Sequence, residues 1–148
     1  EKDLHKALEY FDRAKSLGKD DAWLNMQYGF AYSKLGEYEK AILYFKKARE
    51  LGENNSWLLY QLGLALKEYG NIEEAIDIFK EEIEITNYKG FGDLQLAWCY
   101  ALIDEKEKAK EYFENVDKDL GSSLEKDEEL KKDYNTVNEL INSDIYFN

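Results

Sequence analysis

The 148-residue chain contains no proline and only one cysteine, one histidine and one methionine. A single cysteine excludes an intrachain disulfide and a cysteine-based metal site. One histidine excludes a histidine-rich metal centre and most histidine-based catalysis. No apolar run approaches the length of about 18 residues that a membrane span needs, and no signal peptide opens the chain. We therefore expect a cytoplasmic protein with no membrane segment, no metal and no other cofactor.

Positive charge is also scarce, because 20 basic residues face 32 acidic ones and the net charge is −12. Such a chain repels phosphate groups, which disfavours nucleic acids and anionic membrane surfaces as partners. An electropositive protein or peptide would be attracted instead. Hydrophobic residues make up 44% of the sequence, which is enough to build the core of one folded domain.

Positions 34 residues apart carry similar side chains along most of the chain. The matching columns include Ala7, Ala41, Ala75 and Ala109; Phe11, Phe45, Phe79 and Phe113; Gln27, Gln61 and Gln95; Gly29, Gly63 and Ala97; and Gly36, Gly70 and Asp104. A fixed period of this length indicates a stack of small structural units rather than one irregular domain.

Each unit has the pattern of two amphipathic helices. Apolar residues recur at helical spacing from Asp21 to Leu35 and again from Tyr38 to Leu51. A glycine follows each stretch, at the place where glycine commonly ends a helix. We expect Gly29 and its equivalents to lie where the two helices cross, with the phenylalanine column filling the adjoining space.

These columns resemble the tetratricopeptide repeat (TPR) family, whose pattern is W-x2-L-G-x2-Y, then A-x3-F, then P. The A-x3-F part occurs four times, and Tyr28-Gly29-x2-Tyr32 matches the central part. The tryptophan slot differs and holds Asn25, Leu59 and Asp93, whereas the proline slot holds Lys19, Glu53 and Asn87. The resemblance covers about residues 2–120. It implies an all-α fold, a right-handed superhelix of helix-turn-helix repeats that forms a solenoid.

The repeat divides one solenoid domain into five parts. We expect the second helix of a truncated repeat over 1–18, full repeats over 19–52, 53–86 and 87–120, and a capping helix with a tail over 121–148. A loop at Gly121-Ser122-Ser123 should precede the capping helix. That helix is indicated by apolar residues at helical spacing, namely Leu130, Tyr134, Val137 and Ile141.

The first helix of the N-terminal repeat is missing, which suggests that the chain is a piece of a longer protein. The residues that would have packed on it are Leu4, Ala7, Leu8 and Phe11. We expect this N-terminal helix face to be exposed, and an exposed apolar face favours association. A homodimer through this face is therefore one expected partner arrangement.

No residue pattern indicates catalysis. His5 is interpreted as a surface or interface residue, and Cys99 as a small core residue. The acidic pairs Glu73–Glu74 and Glu81–Glu82 are interpreted as solvated helix faces, because nothing in the sequence would raise the pKa of one member. We expect neither a catalytic site nor a metal site.

The first helix of each repeat carries a second, largely apolar face, here called the first-helix face. Its nominated residues are Met26, Gln27, Phe30, Tyr60, Gln61, Leu64, Leu94, Gln95 and Trp98. In TPR folds the first helices line a concave groove, so the resemblance implies a groove for an extended or helical peptide. The glutamine amides would hold the peptide backbone. The alternative is that the aromatic residues seal the seams between repeats.

The expected function is that of a non-catalytic protein–protein interaction scaffold, which binds a protein or peptide through this groove. The acidic exterior favours a basic ligand. The alternative is a structural or assembly module that packs on the rest of a larger parent protein or on another copy of itself.

Overall fold

The computed structural model describes residues 1–86 and 89–143. These ranges contain eight α-helices and no strand, which confirms the all-α class. The helices are α1 (Lys2–Ser16), α2 (Ala22–Lys34), α3 (Tyr38–Glu50), α4 (Ser56–Tyr69), α5 (Ile72–Ile85), α6 (Gly90–Leu102), α7 (Lys106–Leu124) and α8 (Glu128–Asn142). The predicted start of a repeat at Asn87 and the predicted tail over 144–148 lie outside the described residues.

Side-chain caps fix the start of α2, α4 and α8. The Asp21 carboxylate accepts a hydrogen bond from the Leu24 amide, and the Asn55 side chain accepts one from the Leu58 amide, each at 2.8 Å. At α8 the Asp127 carboxylate accepts from the Leu130 amide at 3.0 Å. Each bond satisfies a backbone N–H that has no partner inside its helix.

The turns after the helices use the left-handed backbone conformation at matching repeat positions. Gly36 and Gly70 have φ angles of 77° and 102°, and Asp104 occupies the third member of this column with a φ of 61°. Gly18 and Gly52 end α1 and α3 in the same way. The predicted glycine stops at positions 36 and 52 are thus confirmed, and Asp104 adopts a conformation that its side chain disfavours.

The helices group into two compact units, Glu1–Ile78 and Phe79–Asn148. In the first unit α1 packs on α2 through a buried cluster of Leu8, Leu24, Tyr28 and Ala31. The remaining apolar residues of the N-terminal helix face are half-buried rather than open. The expectation that Leu8 is exposed is therefore wrong, because it packs against α2.

The second unit contains the end of α5 and the last three helices. Its buried residues include Val116 and Leu120 on α7 and Leu130, Val137 and Ile141 on α8. Tyr134 stacks on Phe113 with ring centroids 4.6 Å apart. The amphipathic capping helix is thereby confirmed as α8.

The predicted loop at Gly121-Ser122-Ser123 is wrong, because these residues form the end of α7. The apolar residues Val116, Leu120 and Leu124 continue at a spacing of four across this stretch, and Leu120 is fully buried. This burial outweighs the cost of about 1 kcal/mol that glycine adds within a helix. The turn before α8 lies instead at residues 125–127.

No helix within the described residues combines the length and the apolar character needed to cross a membrane.

Candidate functional site

In the first unit, most of the first-helix face reaches the surface. Gln27 and Phe30 on α2 are half-buried, and so are all three nominated residues of α4, Tyr60, Gln61 and Leu64. Met26, in contrast, is buried. The α2 and α4 helices therefore present side chains that a ligand could reach without unfolding the repeat.

An aromatic contact joins the two helices at this face. The rings of Phe30 and Trp57 lie 5.8 Å apart with their planes tilted by 40°. The Lys34 ammonium lies 5.2 Å from the centre of the Phe30 ring. Phe30 thus touches the next repeat, and 40% of the Trp57 surface stays exposed to solvent.

Exposed aromatic residues extend the face beyond the nominated set. Trp23 is 54% exposed and occupies the same column as Trp57 and Phe91, each in the first turn of its helix. The Lys19 ammonium lies 5.0 Å from the Trp23 ring centre. The sequence does mark these residues, because Trp23 and Trp57 each stand two residues before the family's tryptophan slot.

In the second unit, the three nominated residues of α6 differ in access. Leu94 and Gln95 are buried, whereas Trp98 is half-buried. Trp98 is thus the nominated residue of α6 with surface left to offer a ligand.

Most candidate chemical residues lie where the sequence predicts. His5 is exposed, and Cys99 is fully buried. The Glu74 carboxylate pairs with the Lys46 ammonium at 2.7 Å. Within residues 1–86 and 89–143, no three histidine, cysteine, aspartate or glutamate side chains come together in a way that could hold a metal ion.

Glu82 contradicts the predicted solvated face. Its side chain is only 7% exposed, and Oε2 is buried with no hydrogen-bond partner among the described residues. Burial raises the pKa of this carboxyl, and the negative charge of Asp93 adds to the rise. The α5 helix places Glu82 on its inner face, where it meets α6 at Gly92.

Asp93 is a second buried acid, at 4% exposure. Burial raises the pKa of its carboxyl from the ordinary 3.8 to about 6, the charge of Asp119 adds to the rise, and Lys89 acts in the opposite direction. The burial of Asp93 could have been predicted from the sequence. Asp93 stands in the tryptophan slot, and a residue in a slot meant for a large apolar side chain is expected to be buried.

Comparison with known families gives two matches. Residues 20–87 match one model of the family described as "Tetratricopeptide repeat", and residues 93–119 match a second model with the same description. Among curated proteins, no sequence matches the chain.

Several solved structures share the fold. The crystal structure of YrrB, described as a TPR protein with an unusual peptide-binding site, has 21% identity and a TM-score of 0.71, and the match covers 97% of this chain and 80% of that one. MamA 41-end from Desulfovibrio magneticus RS-1 has 21% identity and a TM-score of 0.73, covering 93% and 81%. A further crystal structure of MamA has 19% identity and a TM-score of 0.73, covering 94% and 86%. At such identities the likeness shows the fold alone.

Proposed function

Because the chain belongs to the tetratricopeptide repeat family, we propose that it is a non-catalytic scaffold that binds a peptide through its first-helix face. Protein interaction is the general role of the family. YrrB, which shares the fold, is described as having a peptide-binding site. These two facts support a binding module, and the residues of the face support the choice of surface.

The observation that carries the proposal is the mixed composition of the accessible face on α2 and α4. Phe30, Tyr60 and Leu64 offer large apolar side chains with part of their surface in solvent. Large, partly desolvated anchors of this kind supply most of the binding energy in protein interfaces. Gln27 and Gln61 stand beside them, and each amide can both donate to and accept from a peptide backbone.

The nominated residues divide between two roles in this proposal. Phe30, Tyr60, Leu64 and Trp98 are the anchors, each acting within its own unit. The buried residues Met26, Leu94 and Gln95 have little surface to offer a peptide. Gln95 therefore does not act on the peptide directly unless the helix moves.

The ligand that fits the charge of the protein is a basic peptide. A net charge of −12 attracts a cationic partner over a distance and speeds its association. Such attraction is screened by salt, so the association rate should fall as the ionic strength rises. A peptide selected without regard to charge should accordingly carry an excess of lysine and arginine.

The test uses a peptide selected from a random 12-residue phage-display library against the whole chain. Calorimetric titration should show that Leu64→Ala weakens binding by about tenfold or more, because removing an anchor costs on the order of 2 kcal/mol. Leu43→Ala is the matched control, since Leu43 is 64% exposed on α3 and outside the face. Equal affinity of both variants for the peptide would exclude this face as the binding surface.

The alternative function is assembly with a second copy through the N-terminal helix. Leu4, Ala7 and Phe11 keep part of their apolar surface, and Tyr10 on the same helix is exposed. Covering such surface contributes about 25 cal/mol for each Å². Sedimentation at tens of micromolar tests this function. A dimer that Leu4→Glu dissociates supports it, and a monomer for both the wild type and the variant excludes it.

A cytoplasmic location stays a prediction.

A further inference from the structure

We propose that Glu82 and Asp93 make the packing of α6 proton-responsive: protonation of the pair tightens the contact of α6 with α5 and α7, and ionisation loosens it. This property goes beyond peptide binding and does not depend on it. All the residues involved lie in the second unit.

Tight packing around Glu82 leaves it with an unsatisfied oxygen. A Cβ carbon at Gly92 would stand 2.9 Å from Glu82 Oε2 and 2.6 Å from Ile83 Cγ1, so α5 and α6 leave no room for a side chain at this position. Oε2 has no hydrogen-bond partner among the described residues. In an ionised carboxylate at this place, Oε2 has lost its water without gaining a donor, which is costly.

The α6 helix is held equally closely on its other side. A Cβ carbon at Gly90 would stand 2.5 Å from Leu120 Cγ on α7 and 3.1 Å from the Cβ carbon of Asp119. The first turn of α6, which carries Asp93, therefore lies close against both neighbouring helices. Repulsion between Asp93 in this turn and the acids on α5 and α7 therefore acts directly on the contacts that hold α6.

The charges around the pair are mostly of one sign. Glu82 faces Asp93 from α5, and Asp119 acts on Asp93 from α7. Tyr112 on α7 also faces Asp93, whose charge adds to the rise of the Tyr112 pKa. Lys89, just before α6, is the cation that acts on Asp93, and it does not cancel the rise. Protonation of Glu82 or Asp93 removes one of these negative charges and thereby relieves the repulsion.

The direction of the effect follows from linkage. Both carboxyl groups have a higher pKa in the folded chain than in the unfolded one, so the folded state binds their protons more tightly. The stabilisation is complete below the unfolded pKa near 4 and is lost as the pH rises through the folded pKa. For Asp93 the loss lies between about pH 4 and pH 6 and amounts to roughly a hundredfold in the unfolding equilibrium constant.

Thermal melts of the whole chain between pH 4.5 and pH 7.5 test this proposal. The melting temperature of the wild type should fall as the pH rises, and Glu82→Gln and Asp93→Asn should each flatten this dependence. Glu84→Gln is the matched control, because it removes the same charge from an exposed position on α5. Parallel curves for the wild type and all three variants would overturn the proposal.

Two measurements on the wild type serve if a variant fails to fold. Carboxyl ¹³C titration should place the Asp93 midpoint near pH 6, and a midpoint near pH 4 would overturn the proposal. Hydrogen exchange, corrected for the intrinsic rate, should show α6 amides opening about tenfold more at pH 7 than at pH 5. The amides of α2 are the internal control. An equal change in both helices would mean that general charge repulsion, not the pair, sets the pH dependence.

Discussion

Gly29 lies directly against the ring of Phe45, so close that a Cβ carbon at position 29 would stand 2.6 Å from two ring carbons. This contact is where α2 crosses α3, and Phe45 is fully buried there. The two residues belong to columns that repeat every 34 positions. In this repeat the pairing of a small residue on the first helix with phenylalanine on the second therefore accounts for both residues.

Replacing Gly29 should destabilise the chain. Gly29→Leu forces a side chain into space that Phe45 occupies, and such overpacking costs about 1–3 kcal/mol. Gly121→Ala is the control, because Gly121 is also helical but has nothing near its missing Cβ carbon. Gly121→Ala should stabilise the folded chain by about 0.5–1 kcal/mol. Urea unfolding of both variants measures the difference, and equal effects would mean that the crossing is not tight.

Relieving the backbone at Asp104 should stabilise the chain. Asp104 has a φ of 61°, in the left-handed region that glycine adopts without penalty. Asp104→Gly should therefore gain about 0.5–1 kcal/mol, after allowing for the greater freedom of glycine in the unfolded chain. Gly36→Ala makes the opposite change at the matching position, where no atom crowds the residue, and should destabilise. If Asp104→Gly instead lowers the stability, the Asp104 side chain stabilises the folded chain by more than its left-handed backbone conformation costs.

The 34-residue period predicts the helices of this chain well, because the residues that set it are those that make helix contacts. Gly29 and Phe45 are recognisable by recurrence, and Gly36 and Gly52 by their place after an apolar stripe. The end of α7 could not be predicted in this way. Gly121-Ser122-Ser123 has the composition of a loop, whereas in the structure the helix continues through it beside the buried Leu120.

The candidate site was less predictable, since helical spacing shows the direction of a side chain but not what covers it. Tyr60 and Leu94 occupy equivalent positions 34 residues apart, yet Leu94 is buried and Tyr60 is only half-buried. Glu82 shows the opposite error, because its pattern predicts exposure although the residue is buried. A glutamate next to Glu81 on an acidic helix has the pattern of a solvated face, and its burial depends on Gly92, ten residues further along the chain.

Trp98→Ala should reduce peptide binding more than it reduces stability. The side chain is half-buried, so its truncation should cost less than the roughly 3–5 kcal/mol expected for a tryptophan in a full core. Thermal melts and titration with the selected peptide, made on the same samples, give both quantities. A folded variant that retains full affinity would show that Trp98 seals the repeats and does not anchor the ligand.

The most direct test of the central claim is to map the selected peptide on the protein by NMR. On titration, the amide and side-chain signals of Gln27, Phe30, Tyr60, Gln61 and Leu64 should shift in proportion to occupancy. Signals from Leu43 on α3 and from Asn135 on the exposed side of α8 should stay in place. Shifts confined to α3 or α8, with the α2 and α4 signals unchanged, would contradict binding through the first-helix face.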